Sequence, residues 1–248
     1  MNTKGIPFIR AGVWNKQGGS FDGDSFRVAL LGLAETTQTI SAKQSTNVIK
    51  FTNQKWSQIQ KTESAMNGVV VTKFSTYLNV SGCNITLTAM MSNQAATVVE
   101  LNQTSTLTPL RFKYGIQIDD FPFKNNGNVT IIKTIRSKSI TKNKENAINT
   151  NGGQFEWSSK VVVDATVSDI IAARVDGQVS AFNGISDVDG DKNDNDDENV
   201  WSFDLGHGQS LFWDPSFNLE QQSTDPTPSS ASMMSTMVIS AVVGALIF

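Results

Sequence analysis

The chain has 248 residues, with 23 acidic and 20 basic side chains, a formal charge of −3, one His and one Cys. Hydrophobic residues at 39% and aromatics at 8% supply a core, which excludes wholesale disorder. The near-neutral total excludes a general nucleic-acid binder, which needs a dominant basic face against phosphate, and the length allows one large β domain or two small ones.

In chain order, strands are expected over residues 26–33, 47–52, 69–78, 83–90, 96–101, 110–118, 128–135, 155–163, 178–182, 200–205 and 210–213. In 69–78, 83–90, 110–118 and 128–135, β-branched and aromatic residues alternate with Ser, Thr, Asn and Gln, the pattern of half-buried antiparallel strands. Strands this numerous, separated by Gly, Asn and Asp turns, predict an all-β fold, an antiparallel β-sandwich or flattened barrel. One helical signal stands out, Ser168-Asp-Ile-Ile-Ala-Ala-Arg174, with an N-cap before helix-tolerant residues. Trp14, Trp56, Trp157, Trp201 and Trp213 sit in alternating apolar patterns, so packing is expected of them rather than a sugar-binding platform.

Charge is unevenly placed. Residues Asp187 to Glu198 carry seven carboxylates against one lysine, or −6, leaving +3 for the rest. Calcium takes six to eight hard oxygen ligands, and closely spaced carboxylates suit it. Asp187, Asp189 and Asp191 fall at positions one, three and five of a twelve-residue calcium loop and Glu198 at twelve. Lys192 stands where that loop needs glycine, and the flanks look like strands. The expectation is therefore an acidic loop between strands, binding Ca²⁺ weakly at several points through Asp187, Asp189, Asp191, Asp194, Asp196, Asp197 and Glu198, or simply a solvated loop. A basic segment, residues 133–144, is expected to be the polar face of a strand and the loop after it, or a contact for acidic polysaccharide or anionic mineral sites.

Three regions are expected: a β domain over 1–218, a polar proline-punctuated linker over 219–232, and an uncharged apolar tail over 233–248. As a helix the tail spans ~24 Å, short of a ~30 Å hydrocarbon core. With the spacer and the small residues Ser229, Ser230 and Ala231 before it, it matches the signal for a glycosylphosphatidylinositol anchor, with Ser229 or Ser230 as attachment site; a membrane-spanning tail and a packed element are the alternatives. Residues 1–10 contain no apolar run of signal-peptide length, so the true start is expected upstream. Asn79, Asn84, Asn102 and Asn128 head glycosylation sequons, and the lone Cys83 cannot form an internal disulfide.

Signals for catalysis are weak, and no enzyme is expected. His207 would have to be the only histidine of any triad, the nucleophile-elbow motif is missing, and one His with one Cys cannot make a zinc set. Asp119, Asp120, Glu156, Asp164 and Asp204 could form a glycosidase-like pair, but no spacing selects one; Asp119 and Asp120 are expected to start a turn.

The stretch Leu110-Arg-Phe-Lys-Tyr-Gly-Ile-Gln-Ile-Asp-Asp-Phe-Pro-Phe123, followed by Asn125-Asn-Gly-Asn-Val-Thr-Ile-Ile132, resembles the central motif of acidic skeletal organic matrix proteins of stony corals, the skeletal aspartic acid-rich type. The resemblance implies a β-rich extracellular domain with Asp-rich segments that templates or regulates calcium carbonate deposition. Many members carry long poly-Asp tracts where this chain has one short run, which leaves a scaffolding or surface-tethered role open. The expected function is thus a secreted, surface-anchored matrix component whose partners are carbonate mineral, other matrix components and, through its tail, a membrane. The alternatives are a cell-surface adhesion or receptor module and a carbohydrate-active enzyme.

Overall fold

The computed structural model describes residues 6–15, 20–66, 68–137, 140–144, 146–150, 153–177 and 197–219. The strands are β1 (Phe8–Asn15), β2 (Ser20–Thr36), β3 (Val48–Lys50), β4 (Gln60–Met66), β5 (Val69–Val80), β6 (Cys83–Ser92), β7 (Ala96–Glu100), β8 (Gln103–Leu107), β9 (Arg111–Asp119) and β10 (Asn128–Ser137). They continue with β11 (Ile140–Lys144), β12 (Ala147–Thr150), β13 (Gly153–Glu156), β14 (Lys160–Val163), β15 (Thr166–Asp169), β16 (Ala172–Gly177), β17 (Asp197–Gly206), β18 (Ser210–Trp213) and β19 (Ser216–Asn218).

The fold is an all-β antiparallel sandwich. The smaller sheet runs β1-β2-β10-β17-β16 with β3 on β2. In the larger sheet β9 is the axis: β6 and β5 lie on one side, while β18 and β19 share its other edge and lead to β14-β15 and β13-β12-β11. The hairpin β7-β8 forms a separate two-stranded unit. The main core lies between the sheets, where Leu30, Leu33, Ile131, Ile135, Trp201 and Phe203 of the smaller sheet meet Tyr114, Ile116, Phe155, Trp213 and Phe217 of the larger. Fully burying an aromatic or aliphatic side chain of this size contributes ~1.5–3 kcal/mol.

The continuous apolar run of β2 has a physical cause, because both faces of the smaller sheet are covered. Ala29, Leu31, Ala34, Ile132 and Val200 pack with Ile6 and Ala42 on the side away from the main core. A register shift opposite Ile132 and Lys133 skips Leu31, so Leu30 and Leu33 share the core face although three residues apart. Gly32 sits beside this bulge, where a Cβ would stand 2.3 Å from the Ile49 carbonyl oxygen.

Two expectations need correction. Residues 168–174 are not helical: β15 ends at Asp169 and β16 begins at Ala172. The local backbone donors are taken across strands, Ile170 N–H by Ser159 O at 2.9 Å and Ile171 N–H by Asp204 O at 2.8 Å, so open ladder edges outcompete local helix. Residues 155–163 form two strands rather than one, since β13 pairs with β12 and β19 while β14 pairs with β15 and β18. The partner strand is itself interrupted at Asp214-Pro215, where proline cannot donate to the ladder. The expected strand 178–182 lies outside the described residues, as do the tail and all but residue 219 of the linker.

Trp157, Trp201 and Trp213 are core residues, and Trp56 packs edge-on to Phe51 with ring centroids 5.4 Å apart. Cys83 is fully buried; burial first, then the Asp119 and Asp120 carboxylates, push its thiol up to about 12. The folded protein is therefore expected to resist alkylation at mildly alkaline pH and to react once denatured, as a thiol titration with and without denaturant would report. Rapid labelling of the native state would contradict this.

Candidate functional site

The acidic run lies between two antiparallel neighbours, for β16 pairs directly with β17. Asp187, Asp189, Asp191, Asp194 and Asp196 lie outside the described residues. Asp197 and Glu198 open β17, in register with Ser137 and Arg136 of β10. Since β16 and β17 are strands, the helix-flanked calcium template does not apply, and its twelfth position is a ladder residue.

The row that contains Glu198 is cationic elsewhere. Arg136 stands opposite Arg27 of β2, and Arg27 opposite Arg10 of β1. Like charges on adjacent strands repel. The Arg27 guanidinium also lies over the Phe8 ring, 4.1 Å from its centroid. The basic segment 133–144 is not uniformly a polar face, because Lys133, its first residue, is completely buried in the core.

The stretch that carries the family resemblance folds around one carboxylate. After β9, Asp120 takes a positive φ of 57° and the chain turns through Phe121-Pro122-Phe123. Glu35, at the end of β2 and 2% exposed, accepts hydrogen bonds from the backbone N–H groups of Lys124 (2.9 Å), Asn125 (2.7 Å) and Gly127 (2.9 Å). The Asn47 amide donates to Glu35 at 2.8 Å and to the Pro122 carbonyl at 2.9 Å. Burial alone would raise this carboxyl, but the four donors outweigh it and hold it at about 2. Gly127 is required, because a Cβ would stand 2.3 Å from Thr36 O and 2.9 Å from Glu35 Cγ. His207 closes the same end: its Nδ1–H donates to Gly127 O at 2.6 Å and its ring lies 4.1 Å from that of Phe123. The histidine thus ties this loop to the turn before β18.

The five carboxylates named from sequence do not form one site. Asp119 accepts from Ser210 Oγ at 2.5 Å, Asp120 from Gln209 at 3.2 Å, and Asp164 from the Ser210 N–H at 2.8 Å, all clamping the start of β18. Glu156 pairs with Arg111 at 2.7 Å, at the opposite end of β9 from Asp119. Eight residues of strand separate the two ends, ~27 Å, far beyond the ~5–9.5 Å of glycosidase pairs. Asp204 is buried, and burial raises its carboxyl despite Gly206, Asn128, Arg174 and Thr36. Among the described residues no group of three or more His, Cys, Asp or Glu is placed to hold a metal ion.

Of the sequon residues, Asn79 and Asn84 are exposed cross-strand partners joined at 2.6 Å, and Asn102 is exposed at the β7-β8 turn. Asn128 is half-buried and its side chain hydrogen-bonds Asp204. Ser229 and Ser230 lie outside the described residues; within them, no helix is long and apolar enough to cross a membrane.

Neither a family model nor a curated protein matches the chain.

Proposed function

We propose that the chain is a secreted, surface-displayed matrix protein whose sandwich presents the acidic run to Ca²⁺ or carbonate mineral. The observation that carries this is the placement of four net negative charges between β16 and β17 and two more on the first residues of β17, in a chain that is otherwise mildly basic. The run's carboxylates are one to three residues apart in the sequence, and both its ends join paired strands. Such a site suits weak, multipoint binding, ~10⁻⁴–10⁻³ M, of the kind extracellular calcium modules use. The resemblance of residues 110–132 to coral skeletal matrix proteins supports the same reading, and Glu35 explains why that stretch holds a defined shape.

The test compares the full chain with a variant in which Asp187, Asp189, Asp191, Asp194 and Asp196 are changed to Asn. Loss of calcite adsorption and of millimolar Ca²⁺ binding by calorimetry, at unchanged melting temperature, is the expected result. Equal adsorption by both forms would overturn the acidic-run mechanism.

A further inference from the structure

We propose that the outer face of the larger sheet, beneath the β7-β8 hairpin, is a binding groove for a neutral saccharide. Strand alternation puts two adjacent rows on this face. One is Ser75, Thr88 and Gly115; the next is Tyr77, Thr86, Gln117 and Phe212. Hydroxyls and a carboxamide thus lie side by side across three strands, with the Phe212 ring on the fourth. The β7-β8 hairpin is held over them by an ion pair between Lys73 and Glu100, and by Ser105 donating to Asp214 at 3.2 Å. Between hairpin and sheet is a groove of about 420 Å³, within the ~300–1,000 Å³ range of small-molecule sites.

The lining chemistry selects the ligand. Lys73, Ser75, Thr86, Thr88, Glu100 and Gln117 supply donors and acceptors, and Leu101 and Phe212 supply apolar surface. Thr88 Oγ1 and Glu100 Oε2 are buried with no hydrogen-bond partner among the described residues, and Thr88 is 9% exposed. The half-buried hydroxyls of Ser75 and Thr86 and the Gln117 carboxamide along the same lining suit a ligand rich in hydroxyls. The charges cancel locally, Lys73 with Glu100 and Lys113 with Asp214 at 3.0 Å, which favours a neutral ligand over an anion. A pyranose offers hydroxyls at its rim and an apolar C–H face for Leu101 and Phe212. Gly115 shapes the floor, since a Cβ would stand 2.6 Å from Thr88 Oγ1 and 3.0 Å from Phe212 Cε2.

The hairpin tip adds an independent sign. Leu101 and Asn102 have φ of 43° and 66°, a two-residue turn that ordinarily takes Asn-Gly or Asp-Gly. A leucine held in the left-handed region is strained, and here it lines the groove while 51% exposed.

The experiment is an NMR titration of the full chain with cellobiose, maltose, lactose and N,N′-diacetylchitobiose at millimolar concentrations, with a glucuronate-containing disaccharide as the anionic arm. At least one neutral sugar is expected to shift the amides of Thr86, Thr88, Gln117 and Phe212. Thr88→Val and Gln117→Ala should each weaken that binding about three- to tenfold, one hydrogen bond's worth, with melting temperature retained. Thr166→Ala, on a distant strand, should change nothing. The proposal fails if no neutral sugar perturbs these amides, if Thr88→Val binds as tightly as the parent, or if the glucuronide binds better than every neutral sugar. Binding should persist in the acidic-run variant, so this outcome is separate from the calcium test.

Discussion

Replacing Lys133 with methionine is expected to stabilise the protein and to remove a pH dependence that the parent shows below the ordinary lysine range. Lys133 lies on β10 with no exposed surface, facing the larger sheet. Its Nζ has no hydrogen-bond partner among the described residues and is surrounded by rings, 4.5 Å from the centroid of Trp213, 5.1 Å from Tyr114, 5.6 Å from Phe155 and 5.9 Å from Phe203. Cation–π attraction offsets part of the cost of a charge here, but a fully desolvated ammonium without a counter-ion remains unfavourable. Burial accordingly drives the amine well below its ordinary range, and the same burial raises the facing Tyr114 phenol. Methionine keeps the unbranched shape and makes good ring contacts, so the gain should be about 1–3 kcal/mol, the cost of one unsatisfied buried polar group.

The pH effect follows from linkage. Between the depressed value in the fold and ~10.4 in the unfolded chain, the unfolded state binds the extra proton, so stability rises with pH across that window, with a slope approaching one proton. Below the depressed value both states are protonated and the slope vanishes. Urea unfolding at a series of pH values should show the rise in the parent and its loss in Lys133→Met. Equal slopes, or a destabilised variant, would show that the amine has a partner or stays charged.

Glu35→Gln should have the opposite sign. The substitution removes a charge that accepts four hydrogen bonds and turns an N–H₂ toward backbone donors, so a loss of about 2–4 kcal/mol is expected. For this depressed carboxyl the stabilisation is present above its unfolded value near 4.5 and is lost as pH falls toward about 2. The span is worth roughly 3 kcal/mol, and the variant should lack that share of the acid limb. Because Glu35 gathers residues 122–127, amide exchange in that loop should accelerate in the variant while β5 and β6 stay protected. Uniform acceleration would mean that Glu35 serves global stability and not the loop.

Both residues mark where sequence patterns stop being sufficient. The alternation in β5, β6, β9 and β10 was legible because a half-buried strand imposes a period of two on its own side chains. Yet Lys133 occupies a core position in β10, where a lysine in an alternating pattern reads as a surface residue; only the packing of the second sheet shows it enclosed. Strands β8 and β15 were missed because their turns, Leu101-Asn102 and Asp164-Ala165, reach positive φ without the glycine that signals such turns, whereas Ser81-Gly82 carries it. The helix expected over 168–174 yielded to ladder edges on β14 and β17 that no local pattern contains.

The sequence alone determined the all-β class, the alternation of the principal strands and the position of the acidic run, since each depends on residues adjacent in the chain. Tertiary structure decided that Glu35 holds a loop some ninety residues away, that Asp119 and Glu156 stand at opposite ends of β9, and that Ser75, Thr88, Gln117 and Phe212 share one face. The physical reason is register. A strand's own period sets which side chains share its faces, but which strands become neighbours, and at what offset, is settled by the burial of both sheets against each other.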